Sequence, residues 1–105
     1  AVKLEKFVFD GIPLASKSIV VETDRVEEFA PVKNATGSDS IESSKAIQSE
    51  RAARWLEAVG VKIPRKQDGS VDATIEISTL TAVCSDDLRA IELPESVAAG
   101  STVTL

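Results

Sequence analysis

Residues 39–59 admit little except a long helix. Asp39-Ser40-Ile41-Glu42 offers a capping box, with the Asp oxygen accepting an early amide and Glu42 reaching back. Ala52, Trp55, Leu56 and Val59 fall on one face at the helical repeat, while Glu42, Lys45, Arg51, Arg54 and Glu57 suit solvent. Gly60 supplies the stop, because glycine enters the left-handed conformation at a helix end without a Cβ penalty. The predicted helix runs for about five to six turns.

The flanks differ in kind. Upstream, residues 2–15 place Leu4, Phe7 and Val8 at helical spacing, with Lys3, Glu5 and Lys6 between them. This predicts a short helix ended by Gly11 and Pro13. Ile19-Val20-Val21 is a β-branched run with polar flanks, which predicts a strand over residues 17–23, buried on both faces in its middle. Residues 24–38 hold few periodic apolar positions but carry Pro31, Asn34 and Gly37, and read as an ordered loop.

Downstream of Gly60 the period changes to that of strands. Residues 61–64 are extended, Gln67-Asp68-Gly69-Ser70 is a turn, and residues 73–78 alternate with Ile75 and Ile77 on one face. Residues 88–93 alternate again around a shift at Ile91, and Val103 and Leu105 mark a last strand. The predicted class is α+β: helix, strand and long helix over residues 1–60, then a small β portion over residues 61–105.

Composition narrows the chemistry. With 105 residues the chain suits one compact core, and 43% apolar with 28% charged residues is ordinary for a soluble domain. A net charge of -5 lacks the basic face that nucleic-acid binding needs, yet leaves room for a small anion at one well-placed lysine. Cys84 is the only cysteine, so no internal disulfide can form. It is expected to be a small buried hydrophobe in a reducing, cytoplasmic setting. Histidine is absent, which removes His-based triads and imidazole metal sites. No apolar run has the length of a membrane span, and no signal peptide is evident. The chain starts at Ala1 inside sequence that reads as structured, as an excised piece of a longer protein would.

Three segments are candidates for chemistry. In Phe7-Val8-Phe9 the rings stand two residues apart, which a narrow helical stripe cannot bury together. One ring is then available to an apolar ligand, with plain core packing as the competing role. In residues 28–35, Lys33 sits in a loop stiffened by Pro31 and Asn34, and its ammonium suits a phosphate; a solvated surface lysine is the competing role. The acidic set Glu22, Asp24, Glu27 and Glu28, like Asp86-Asp87, reads as solvated surface rather than as an acid-base pair or metal site. The residues contain no Gly-rich phosphate loop after a strand, no nucleophile with its base and no metal-ligand cluster.

In their order, LEKFVFD, a strand ending VVET, DRVEEFAPVKNATGSDS and a helix bearing Arg51, Ala52 and Trp55 resemble the eukaryotic-type UDP-N-acetylhexosamine pyrophosphorylases and their bacterial relatives. IEISTLTAV with its following acidic pair resembles that family's "EISPL" stretch, so the likeness runs from about Val2 to about Leu88. It implies part of a uridylyltransferase that joins UTP and N-acetylglucosamine 1-phosphate with magnesium and releases pyrophosphate. It also implies a Rossmann-like core whose Gly-rich nucleotide loop and magnesium ligands are not in these residues, so that the chain alone is inactive. By the same resemblance Lys33 matches the lysine of "PLKNA", which approaches the phosphates, and Asn34 shapes its loop. Phe7 and Phe9 match the "FVF" aromatics that line the sugar pocket. Gly11-Ile12-Pro13 and Thr79 depart from the family pattern, and the first leaves hexosamine or hexose preference open. The alternatives are a UDP-glucose or UDP-sugar pyrophosphorylase portion, and a non-catalytic β-rich assembly module. Self-association through apolar surface at a cut is a further expectation.

Overall fold

A computed structural model describes Val2, Leu4, Glu5 and residues 7–105. In chain order it holds a 3-10 helix (Val8–Leu14), α1 (Arg25–Glu28), α2 (Ile41–Ala58), β1 (Thr74–Glu76), a second 3-10 helix (Ser85–Ala90) and β2 (Thr102–Thr104). Its radius of gyration is 18.0 Å, against about 13 Å for a compact chain of this length. The excess comes from an extended, exposed N-terminal arm.

α2 matches its expected span, but its cap lies one residue later. Ser40, not Asp39, is the N-cap: the Ser43 amide donates to Ser40 Oγ at 3.2 Å, and the Ser40 amide donates to Ser43 Oγ at 2.9 Å. Ser43 thus takes the reciprocal place expected of Glu42. Asp39 is left in the left-handed region at φ 54°, and its carbonyl turns back toward the preceding loop. At the other end Gly60 has φ 95°; its amide donates to the Glu57 carbonyl and that of Val61 to the Leu56 carbonyl, a Schellman closure.

The core lies between α2 and the segments after it. Ala52, Ala53 and Leu56 meet Val61, Val71, Ile75, Ala82, Leu88 and Val97, with Trp55, Val59, Ile63 and Val103 packed around them. An expected division near Gly60 therefore meets a core that is continuous across it. β1 and β2 pair in parallel, with Ile75 opposite Val103. Thr74 and Glu76 bond toward the β2 side, and the amide and carbonyl of Ile75 face away from it. Ser49 of α2 meets both: its Oγ accepts from the Ile75 amide at 3.1 Å and donates to the Ile75 carbonyl at 3.4 Å. A buried serine thus does for β1 what a third strand would do.

Arg65 fastens the turn expected at Gln67–Ser70. Its Nε and Nη2 donate to the two Glu57 oxygens, and its Nη1 to Glu50 and to the Gly69 carbonyl. The Glu57 carboxylate, then that of Glu50, raises the Arg65 pKa further above its already high value. Glu50 also accepts the Val71 amide at 2.9 Å, so one carboxylate joins α2 to the segment leading into β1.

Four expectations are corrected. The helix over residues 2–15 is a 3-10 helix over Val8–Leu14 with Gly11 and Pro13 inside it, because neither residue supports an α-helical interior; Lys3 and Lys6 lie outside the described residues. No strand forms at residues 17–23, and Val20 is 99% exposed. A strand needs a neighbour for its ladder, and among the described residues none reaches it. Residues 88–93 do not form a strand either. The amides of Val83 and Cys84 donate to the Asp87 carboxylate, which winds Ser85–Ala90 into a 3-10 helix with Leu88 buried. Cys84 is exposed at the cap of that helix rather than buried. Among the described residues no helix is long and apolar enough to cross a membrane.

Candidate functional site

The loop between α1 and α2 covers residues 29–40, and its ends are well held. Asp24 caps α1 by accepting the Val26 amide at 2.9 Å, and Pro31 biases Ala30 against helix, so α1 closes after one turn. The amides of Lys33 and Asn34 both donate to the Asp39 carbonyl, at 2.6 and 2.9 Å, and Asn34 Nδ2 donates to the Ser38 carbonyl at 2.8 Å. Residues 33–39 are thereby closed into a ring that directs the Lys33 side chain outward. Ser44 of α2 ties the loop to the helix by donating to the Ala30 carbonyl at 2.9 Å.

Phe29 ends α1 and gathers cations. The Arg25 guanidinium stands 4.1 Å from its ring centroid and Lys33 Nζ stands 5.8 Å away. Among the described residues Lys33 makes no ion pair, so its ammonium is open to a ligand. An open cavity of about 510 Å³ lies between α1 and α2, lined by Arg25, Val26, Phe29, Ala46, Ile47, Glu50 and Arg54. A positive, ring-bearing edge on a chain of charge -5 can receive an anion that carries an apolar or planar group.

The underside of α1 is a polar clamp. Arg54 donates through Nε and Nη2 to Glu27 Oε1, at 3.0 and 2.5 Å, and Trp55 Nε1 donates to Glu27 Oε2 at 3.2 Å. Arg51 donates to the Glu27 carbonyl at 3.3 Å and stacks 4.8 Å from the Trp55 centroid. Reading Glu27 as solvated surface, and Arg51 and Arg54 as solvent-facing, missed this contact. The available signal was the grouping of Arg51, Arg54 and Trp55 within one turn of α2, a mixed cationic and aromatic patch that a purely solvated face does not need.

The expected site residues fall in two places. Lys33 and Asn34 share the closed ring. Phe7 and Phe9 lie on the N-terminal arm around the first 3-10 helix, 55% and 67% exposed. Glu22 and Asp24 are exposed and Glu28 borders a cavity beside α1, and among the described residues no group of three or more acidic, Cys or His side chains is placed to hold a metal ion.

Comparison with known proteins gives consistent relatives. The chain is 38% identical to UDP-N-acetylglucosamine diphosphorylase 2 of Arabidopsis thaliana, over 85% of its own length and 18% of that protein's. It is 34% identical to a probable UDP-N-acetylglucosamine pyrophosphorylase of Dictyostelium discoideum, over 83% and 18%. It is 35% identical to the UDP-N-acetylglucosamine pyrophosphorylase of Saccharomyces cerevisiae, again over 83% and 18%. The chain thus spans less than a fifth of the length of these relatives, at their C-terminal end. No family model matches the chain, and no solved structure does.

Proposed function

The chain belongs to the UDP-N-acetylglucosamine pyrophosphorylase family, as a counterpart of its C-terminal end, and on that premise we propose that it is the substrate-binding C-terminal portion of a uridylyltransferase. The reaction is attack by a phosphate oxygen of N-acetylglucosamine 1-phosphate on the α-phosphorus of UTP. One P–O bond forms, the bond to the β-phosphate bridge breaks, and pyrophosphate leaves with the electron pair. The observation that carries the reading is Lys33, an unpaired ammonium projected from a closed loop beside a cation-flanked ring. Such transfers depend on positioning and on cations that meet charge as it develops.

The remaining parts follow from the same reading. Phe7 and Phe9, both exposed, line the sugar pocket once the rest of the protein encloses them. Ile19-Val20-Val21 adds a strand to a Rossmann-like sheet supplied by that remainder, where its unmet backbone groups find partners. The chain by itself is inactive, and its bare apolar arm promotes self-association. The described residues do not fit a magnesium site.

The test is pyrophosphate release by the full-length protein with UTP and magnesium, comparing N-acetylglucosamine 1-phosphate with glucose 1-phosphate. Preference for the acetylated sugar is expected. Preference for glucose 1-phosphate keeps the reaction and assigns the hexose branch, which the Gly11-Ile12-Pro13 departure leaves open. No release with either sugar overturns the proposal in favour of an assembly module. Lys33→Ala is expected to lower turnover more than about tenfold, and an unchanged rate removes Lys33 from the site.

A further inference from the structure

We propose that Glu27 is a positioning residue for this site, acting through the loop that carries Lys33; the inference rests on the functional reading of Lys33 above. Glu27 is the one residue of α1 held at three points by α2. Its two carboxylate oxygens receive Arg54 and Trp55, and its carbonyl receives Arg51. All three donors lie within one helical turn, so α1 is fixed in rotation as well as in distance.

The consequence is directional. Phe29 lies two residues beyond Glu27 and so points from a different side of the turn, toward Arg25 and Lys33. Turning α1 about its axis would carry Phe29, and with it the ring against which the Lys33 side chain lies. The Ser44 bond to Ala30 holds the loop only through a carbonyl, which leaves the orientation of α1 to Glu27. Arg51 and Arg54 are half-buried, the first donating to the Glu27 carbonyl and the second paired with its carboxylate, whereas Arg25 and Lys33 stay available on the open side. Glu27 thus divides four cations into two that build the site and two that face a ligand.

Two arms test this. In the 105-residue chain, the Glu27→Ala variant is expected to shift the emission of Trp55, the only tryptophan, to longer wavelength. Exchange of the Lys33 and Asn34 amides should rise about tenfold or more, while the Ala53 and Leu56 amides exchange as in the parent. Glu27→Gln keeps one acceptor, for Trp55 or for Arg54, and is expected to fall between the parent and Glu27→Ala; where Glu27→Ala also loosens the core amides, the Gln variant decides. Unchanged exchange at Lys33 and Asn34 overturns the proposal.

In the full-length protein, Glu27→Ala and Lys33→Ala are each expected to reduce kcat, and the double variant to fall no further than Lys33→Ala alone. Independent, multiplying losses overturn the proposal, since a residue acting through Lys33 has nothing left to lose without it. A silent Lys33→Ala with altered exchange overturns instead the functional reading of Lys33.

Discussion

The residues before Ser40 and those from Ser40 onward follow different rules. The later part buries Leu56, Ile75 and Leu88 in one core and satisfies even the outer edge of β1 through Ser49. The earlier part is as rich in large apolar residues, with Phe7, Phe9, Ile12, Ile19, Val20 and Val21, yet adds none of them to that core. Apolar content alone does not make structure; it needs a complementary surface within reach. The difference marks residues 40–105 as the part that holds the core and the arm as the part that leaves its large apolar side chains exposed.

The strongest way to break this comparison is to cut into each part equally. Leu56→Ala is expected to destabilise the chain by about 2–5 kcal/mol, since it empties a fully buried site. Val20→Ser, on the arm, should change stability by less than about 0.5 kcal/mol. Thermal unfolding of the two variants measures both, and equal losses would mean that the arm shares the core's cooperativity.

A second, smaller effect sharpens the account of the core. Ser49→Ala strands the Ile75 amide and carbonyl in a buried place, at an expected cost of about 1–3 kcal/mol. Urea denaturation should move its midpoint down with little change in slope. A neutral result would mean that the back of β1 is open to water.

The smallest effect is one of pH. Hydrogen bonds from the Val83 and Cys84 amides hold the Asp87 carboxylate below the ordinary aspartate range. A group depressed in the folded state contributes stability above its unfolded value, and loses it as pH falls through the folded one. Acid titration of the parent and of Asp87→Asn should therefore diverge at neutral pH and converge in strong acid. Parallel curves would remove Asp87 from the ordering of the second 3-10 helix.

What was legible in the residues was local. The span of α2, its Gly60 stop, the Gln67–Ser70 turn and a final strand at Val103 all follow from neighbours within a few positions. What was not legible depends on distant partners. Residues 17–23 have strand-forming residues but no ladder, and residues 88–93 alternate correctly but are captured by Asp87. Nothing near Ser49 in the chain marks it out, because its partner Ile75 stands 26 positions further on. In the candidate site, the ordered loop that carries Lys33 was legible from Pro31 and Asn34. Glu27 was not, because its partners Arg54 and Trp55 lie a loop and a helix away.

The parallel pairing of β1 with β2 has a kinetic consequence. Thr74 and Thr102 meet across 27 intervening positions, and a parallel pair cannot be closed by a tight hairpin. That long closure costs chain entropy before it returns any contact, so it belongs late in folding. During synthesis α2 and the Arg65 turn emerge well before β2. Until then Ser49 covers only the outer edge of β1, and the edge that β2 will take stays open.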